Sequence, residues 1–122
     1  MDDALRRKIC RLVAGILVTD DDMDPREDRF LDRLLADFGL PPGERDCLFP
    51  IVDATEAQAE MRELPQEARD EAMHRLLDAA CADGRIMEAE REYLRSVAFA
   101  LEIGERETDR MIAMRMSFTQ AP

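Results

Sequence analysis

Tryptophan is missing from this chain, and tyrosine and histidine occur once each. No uninterrupted apolar run approaches the roughly 18 residues that a membrane-spanning helix needs, so membrane insertion is not expected. The N-terminal stretch MDDALRRKICRLVAGILV places Asp2 and Asp3 where a signal peptide would carry basic residues, and it reads as a mature cytoplasmic start. Basic residues are outnumbered, 17 Lys and Arg against 28 Asp and Glu, which leaves a net charge of −11. A phosphate backbone would be repelled, and no basic stripe with interleaved aromatics offers a local exception; nucleic-acid binding is excluded. Cations or a basic protein surface would be attracted instead.

Cysteine is scarce too. Cys10, Cys47 and Cys81 are odd in number and far apart, without C-x-x-C or Cys/His ligand spacing, so neither a disulfide framework nor a zinc site is expected. Each lies in or beside an apolar helical pattern, where a free cysteine acts as a small core residue in a reducing compartment. Neither G-x-x-x-x-G-K-[ST] nor G-x-G-x-x-G occurs, which removes the common phosphate cradles. Ser96 and Ser117 lie outside any G-x-S-x-G frame, and His74, one helical turn before Asp78, reads as a surface contact and not as a catalytic dyad. The expectation is a protein without enzymatic activity.

What is present is a helical pattern. Apolar residues make up 46% of the chain and charged residues 37%, the mixture of a globular domain that needs no metal or disulfide to fold. Leu5, Ile9, Leu12, Val13, Ile16 and Leu17 follow the three-and-four spacing of one helix face and should be deeply buried. Asp24, Pro25 and Glu27 then form the start signal of a second helix, carrying Phe30, Leu31, Leu34, Leu35 and Phe38 inward and stopped by Gly39. Pro42 marks another start, Pro50 a break within the apolar set Cys47, Leu48, Ile51 and Val52, and Asp53 or Thr55 caps a short helix. From Pro65 a stripe of Ala72, Met73, Leu76, Leu77, Ala80 and Cys81 runs into Ala82-Asp83-Gly84. Two further helices carry Tyr93, Leu94, Val97, Ala98 and Leu101, then Met111, Ile112, Met114 and Phe118. No segment alternates with the period of a strand. The fold class is all-α, a single domain over residues 1–122 with about six to seven helices.

Two acidic joints repeat. DDDMDPRED, from Asp20 to Asp28, and DGRIMEAERE, from Asp83 to Glu92, align without gaps when Asp20 is placed on Asp83. Glu27 then falls on Glu90, Phe30 on Tyr93, Leu31 on Leu94, Leu34 on Val97, Phe38 on Leu101 and Leu40 on Ile103. Apolar meets apolar at each inward position. The chain therefore reads as two helix–acidic joint–helix units, about 4–52 and about 65–118, related by a pseudo-twofold and packed as a bundle.

The second unit, LPQEARDEAMHRLLDAACADGRIMEAEREYLRSVAFALEI, resembles the signature half of TerB-like domains through Ala80, Ala82, Asp83, Gly84, Ile86 and Glu90. The first resembles the other half through Asp20, Met23 and Glu27, with Asp21 in place of the usual Gly. The resemblance implies an internally duplicated all-helical fold and an association with tellurite resistance and other bacterial stress responses. It carries no enzymatic activity. Similar domains occur in a membrane-anchored DnaJ-like co-chaperone, but no J-domain is present here, so that role does not transfer.

Asp20, Glu27, Asp83 and Glu90 are the candidate metal ligands, with Asp22 and Asp24 as further ones. Four carboxylates brought together across a pseudo-twofold would suit Ca²⁺, Mg²⁺ or Mn²⁺ better than a soft metal. The competing reading is structural: Glu27 and Glu90 sit where an acidic side chain caps a first helical turn. An EF-hand is excluded by spacing, because Pro25 and Leu31 occupy the sixth and twelfth positions counted from Asp20, and Leu94 the twelfth from Asp83. The methionines of MIAMRMSF offer either core packing or an adaptable contact with a protein partner or a second copy of the chain.

Overall fold

The structure, a computed structural model, describes residues 2–17, 25–40, 52–81 and 86–119. Those residues form six helices and no strand: α1 Asp3–Leu17, α2 Pro25–Asp37, α3 Ala54–Glu63, α4 Gln66–Ala80, α5 Glu88–Ala100 and α6 Glu105–Thr119. The expected all-α bundle is what the chain forms. The expected start at Pro42 and break at Pro50 lie outside the described residues.

α1 is the central helix. Every residue from Leu12 to Leu17 is buried, including the glycine and the alanine of VAGI, so this segment is surrounded by protein on all sides. A helix that is apolar all round can be accommodated only in an interior. It packs chiefly along α4, and also touches α2, α3 and α5. α3 lies along α5, and α6 rests on α4 and α5. One continuous core results, with Leu12, Ile16, Leu31, Leu34, Met61, Leu76, Leu94 and Val97 almost fully excluded from solvent. Removing that much apolar surface from water is the dominant favourable term in folding.

The helix ends follow local chemistry. Pro25 opens α2, where a missing N–H costs nothing. Asp53 caps α3 by accepting from the Glu56 N–H at 2.8 Å. The C-termini of α2 and α5 are built alike. In α2, the Leu40 N–H donates to Leu35 O at 2.9 Å and the Gly39 N–H to Ala36 O at 3.0 Å; in α5, Ile103 N–H donates to Ala98 O and Glu102 N–H to Phe99 O, both at 3.0 Å. This is a Schellman ending. Its left-handed residue is Gly39 at φ 71° in one case and Glu102 at φ 63° in the other. Gly39 and Glu102 are the residues paired when Asp20 is placed on Asp83, so the two helices end at equivalent positions.

α6 differs from its sequence expectation at Met114, and the side chain of Phe118 lies outside the described residues. Met114 faces solvent at 59% exposure, whereas Ile112 is buried and Met111 and Met116 pack half-buried against the core. The helix is held partly by charge: Arg115 pairs with Asp78 on α4, and Asp109 receives hydrogen bonds from Arg91 and Arg95 on α5. An apolar face that narrow cannot bury all four methionine and isoleucine positions.

Candidate functional site

Glu90 is the proposed ligand whose side chain is described, and it stands in the first turn of α5 at the edge of the second acidic joint. It is only 7% exposed, rare for a carboxylate. Its Oε1 accepts from the Met87 N–H at 2.9 Å, satisfying a backbone donor that the start of α5 would otherwise leave unpaired. The capping role anticipated for this position is therefore realised. The N-terminal end of the helix dipole favours a negative charge at the same place.

Glu27 is the third residue of α2, the position in that helix equivalent to Glu90 in α5; its side chain lies outside the described residues. Asp20, Asp22, Asp24 and Asp83 also lie outside them. Among the described residues no three acidic, histidine or cysteine side chains converge as a metal site. The donor chemistry of the set is carboxylate oxygen throughout, which fits a hard divalent cation and no soft one.

Catalytic groups are not assembled elsewhere among the described residues. Cys10 is fully buried and burial pushes its thiol up to about 12, so it is not a thiolate nucleophile near neutral pH. Cys81 is buried and unbridged as well. His74 is exposed, and its Nδ1 lies 3.1 Å from Arg115 Nη2. The surface contact expected of it with Asp78 is thus made through Arg115, which reaches both. Hydrogen bonds from Arg95 hold the Asp109 carboxyl below its ordinary range. These groups fasten helices to one another.

Sequence reasoning did not single out Phe99 or Glu102. Phe99 is 64% exposed and lines a shallow cleft of about 510 Å³ with Arg62, Ala100, Ile103 and Gly104. Glu102 stands at the same cleft in its left-handed conformation. The signal was available in the repeat, where the equivalent positions hold Ala36 and Gly39.

The family model described as tellurite resistance protein TerB matches residues 50–113. Comparison with curated proteins and with solved structures gives no match. The matched segment begins ahead of α3, spans α4, the second joint and α5 with Glu90, and ends within α6. With more than half of its residues matched and an all-helical bundle to go with them, the chain belongs to the TerB family.

Proposed function

We propose that this TerB-family chain is a non-enzymatic binding module of a bacterial, cytoplasmic stress response associated with tellurite resistance, and that its paired acidic joints take a hard divalent cation. Mg²⁺, Ca²⁺ or Mn²⁺ would be held through Asp20, Glu27, Asp83 and Glu90, with Asp22 and Asp24 as further oxygen donors. The supporting observation is the burial of Glu90 at the rim of its joint, where its carboxylate is oriented by the Met87 N–H before any ligand arrives. A preoriented carboxylate loses less freedom on binding a cation than an exposed one.

The same hydrogen bond favours a second reading, in which the acidic residues only cap helices and the domain serves as a protein-interaction adaptor. Calorimetric titration with Mg²⁺, Ca²⁺, Mn²⁺ and Zn²⁺ separates the two. The cation reading requires heat of binding and a raised Tm at millimolar metal, both lost in Asp83→Asn. Glu90→Gln sharpens the test, because glutamine keeps an oxygen for the Met87 N–H while removing the charge. A variant with native stability and no cation response supports the cation site; no response from the unmodified protein to any of the four metals removes it.

A further inference from the structure

Glu88, Glu92 and Phe99 lie on one face of α5 by helical spacing, and all three are exposed. Glu88 and Glu92 make no ion pair among the described residues, whereas the neighbouring Arg91 and Arg95 are both taken up by Asp109 on α6. The outward face of α5 therefore presents Glu88 and Glu92, with Arg95 on the same face drawn toward Asp109, over about 16 Å at 1.5 Å per residue, and it ends in an aromatic knob. Beyond the knob, Ala100 and Ile103 line the cleft, to which Glu102 adds a carboxylate and Arg62 of α3 a guanidinium.

The internal duplication supplies a control. The same positions in the first unit are Pro25, Arg29, Ala36 and Gly39, and these too face solvent. The fold is satisfied there by small, rigid or basic residues. In the second unit the same positions hold an acid or an aromatic: Glu88, Glu92, Phe99 and Glu102. None of these four is demanded by packing, and Glu102 occupies a left-handed conformation that disfavours any side chain. Strain carried by a residue at an exposed cleft is a reason to look for binding.

We infer that the solvent face of α5 docks a basic, helix-forming segment of a protein partner. Its Lys or Arg residues, one turn apart, meet Glu88, Glu92 and Glu102, and an apolar side chain enters the cleft beside Phe99. Charge complementarity identifies the occupant: the chain carries −11, so a second copy would set acid against acid, and an acidic or nucleic-acid partner would be repelled. The inference gives the adaptor reading a surface and a partner chemistry, and it rests on that reading and not on a cation.

The test is fluorescence anisotropy with a labelled synthetic peptide of lysine and leucine patterned as an amphipathic helix, in EDTA so that no cation at the joints contributes. Salt-dependent binding is expected, weakened about tenfold by Phe99→Ala, as for a buried aromatic anchor. Glu88→Gln with Glu92→Gln should weaken binding and flatten its dependence on salt. Glu67→Gln with Asp70→Asn, an exposed acidic pair on α4, should leave binding unchanged. Glu102→Gly should raise Tm and lower affinity together, a combination that a purely structural role would not produce. Equal losses from the α4 and α5 pairs, or full affinity in Phe99→Ala or Glu102→Gly, would overturn this surface while leaving an adaptor with another face. No binding by the unmodified protein at low salt would overturn the basic partner itself.

Discussion

The Tyr93 hydroxyl donates to the Leu12 carbonyl oxygen at 3.0 Å, joining α5 to α1 across 81 positions of sequence. Gly15 lies directly beneath that hydroxyl. A Cβ there would meet the Tyr93 oxygen and would stand 2.8 Å from the backbone oxygen of Val52, which cannot rotate away. The glycine is thus required by close approach. Gly15→Ala should destabilise the protein by about 1–3 kcal/mol despite the higher helix propensity of alanine, because overpacking outweighs it. Urea denaturation measures this; a variant as stable as the parent would show that the Tyr93 ring can give way.

Tyr93→Phe isolates the hydrogen bond from the packing. The ring is 2% exposed, and phenylalanine would retain nearly all its apolar contacts. The expected loss is about 1 kcal/mol, the net value of one buried hydrogen bond. Because a methyl added at position 15 and the Tyr93 oxygen compete for one space, Gly15→Ala should cost less in the Tyr93→Phe background. A double-mutant cycle reads that coupling, and strict additivity would refute it.

Glu102→Gly is expected to stabilise. The residue closes α5 at φ 63°, the conformation that Gly39 adopts without strain at the end of α2. Glycine relieves a penalty of about 1 kcal/mol and leaves the Ile103 to Ala98 and Glu102 to Phe99 backbone bonds in place. Thermal unfolding should show a higher Tm. The reciprocal change, Gly39→Glu, should lower it by a similar amount, and equal Tm values for both variants would show that neither turn is strained.

These three sites mark the limit of what the amino-acid order could reveal. Pro25, Gly39 and Asp53 act on their own neighbouring backbone groups, so the bounds of α2 and the start of α3 were legible from local chemistry. The burial of α1 was legible from its density of apolar residues. The meeting of Tyr93 with Leu12 depends on how α1 and α5 cross, which no local pattern encodes. The same holds for Met114, which shares one face of α6 with Met111 at i, i+3 spacing while Ile112 shares another with Met116 at i, i+4, so that only packing decides which face is covered. At the second joint, spacing placed Glu90 correctly at a helix start. It did not decide how the carboxylate would be used, since a cap and a ligand share one address; the Met87 hydrogen bond shows that Oε1 serves the start of its own helix.

Stability should fall in alkali for reasons traceable to two buried groups. Burial raises the Cys10 thiol from 9.0 to about 12, and burial, reinforced by Glu60, Asp53 and Glu56, also raises the Tyr93 hydroxyl. Both groups are neutral when protonated, so the unfolded chain surrenders these protons first and holds fewer of them than the native state. Stability then declines with rising pH. For Cys10 the contribution is intact below about pH 9 and is lost progressively from there to about 12, with a limiting slope of about 1.4 kcal/mol per pH unit. Urea midpoints at pH 8 and 10.5 should therefore separate more widely for the parent than for Cys10→Ala. In a Cys47→Ser background, iodoacetamide at pH 8 should label Cys10 only as fast as the protein unfolds. Labelling at the rate of an exposed thiol, or an unchanged pH dependence in Cys10→Ala, would place Cys10 outside the core.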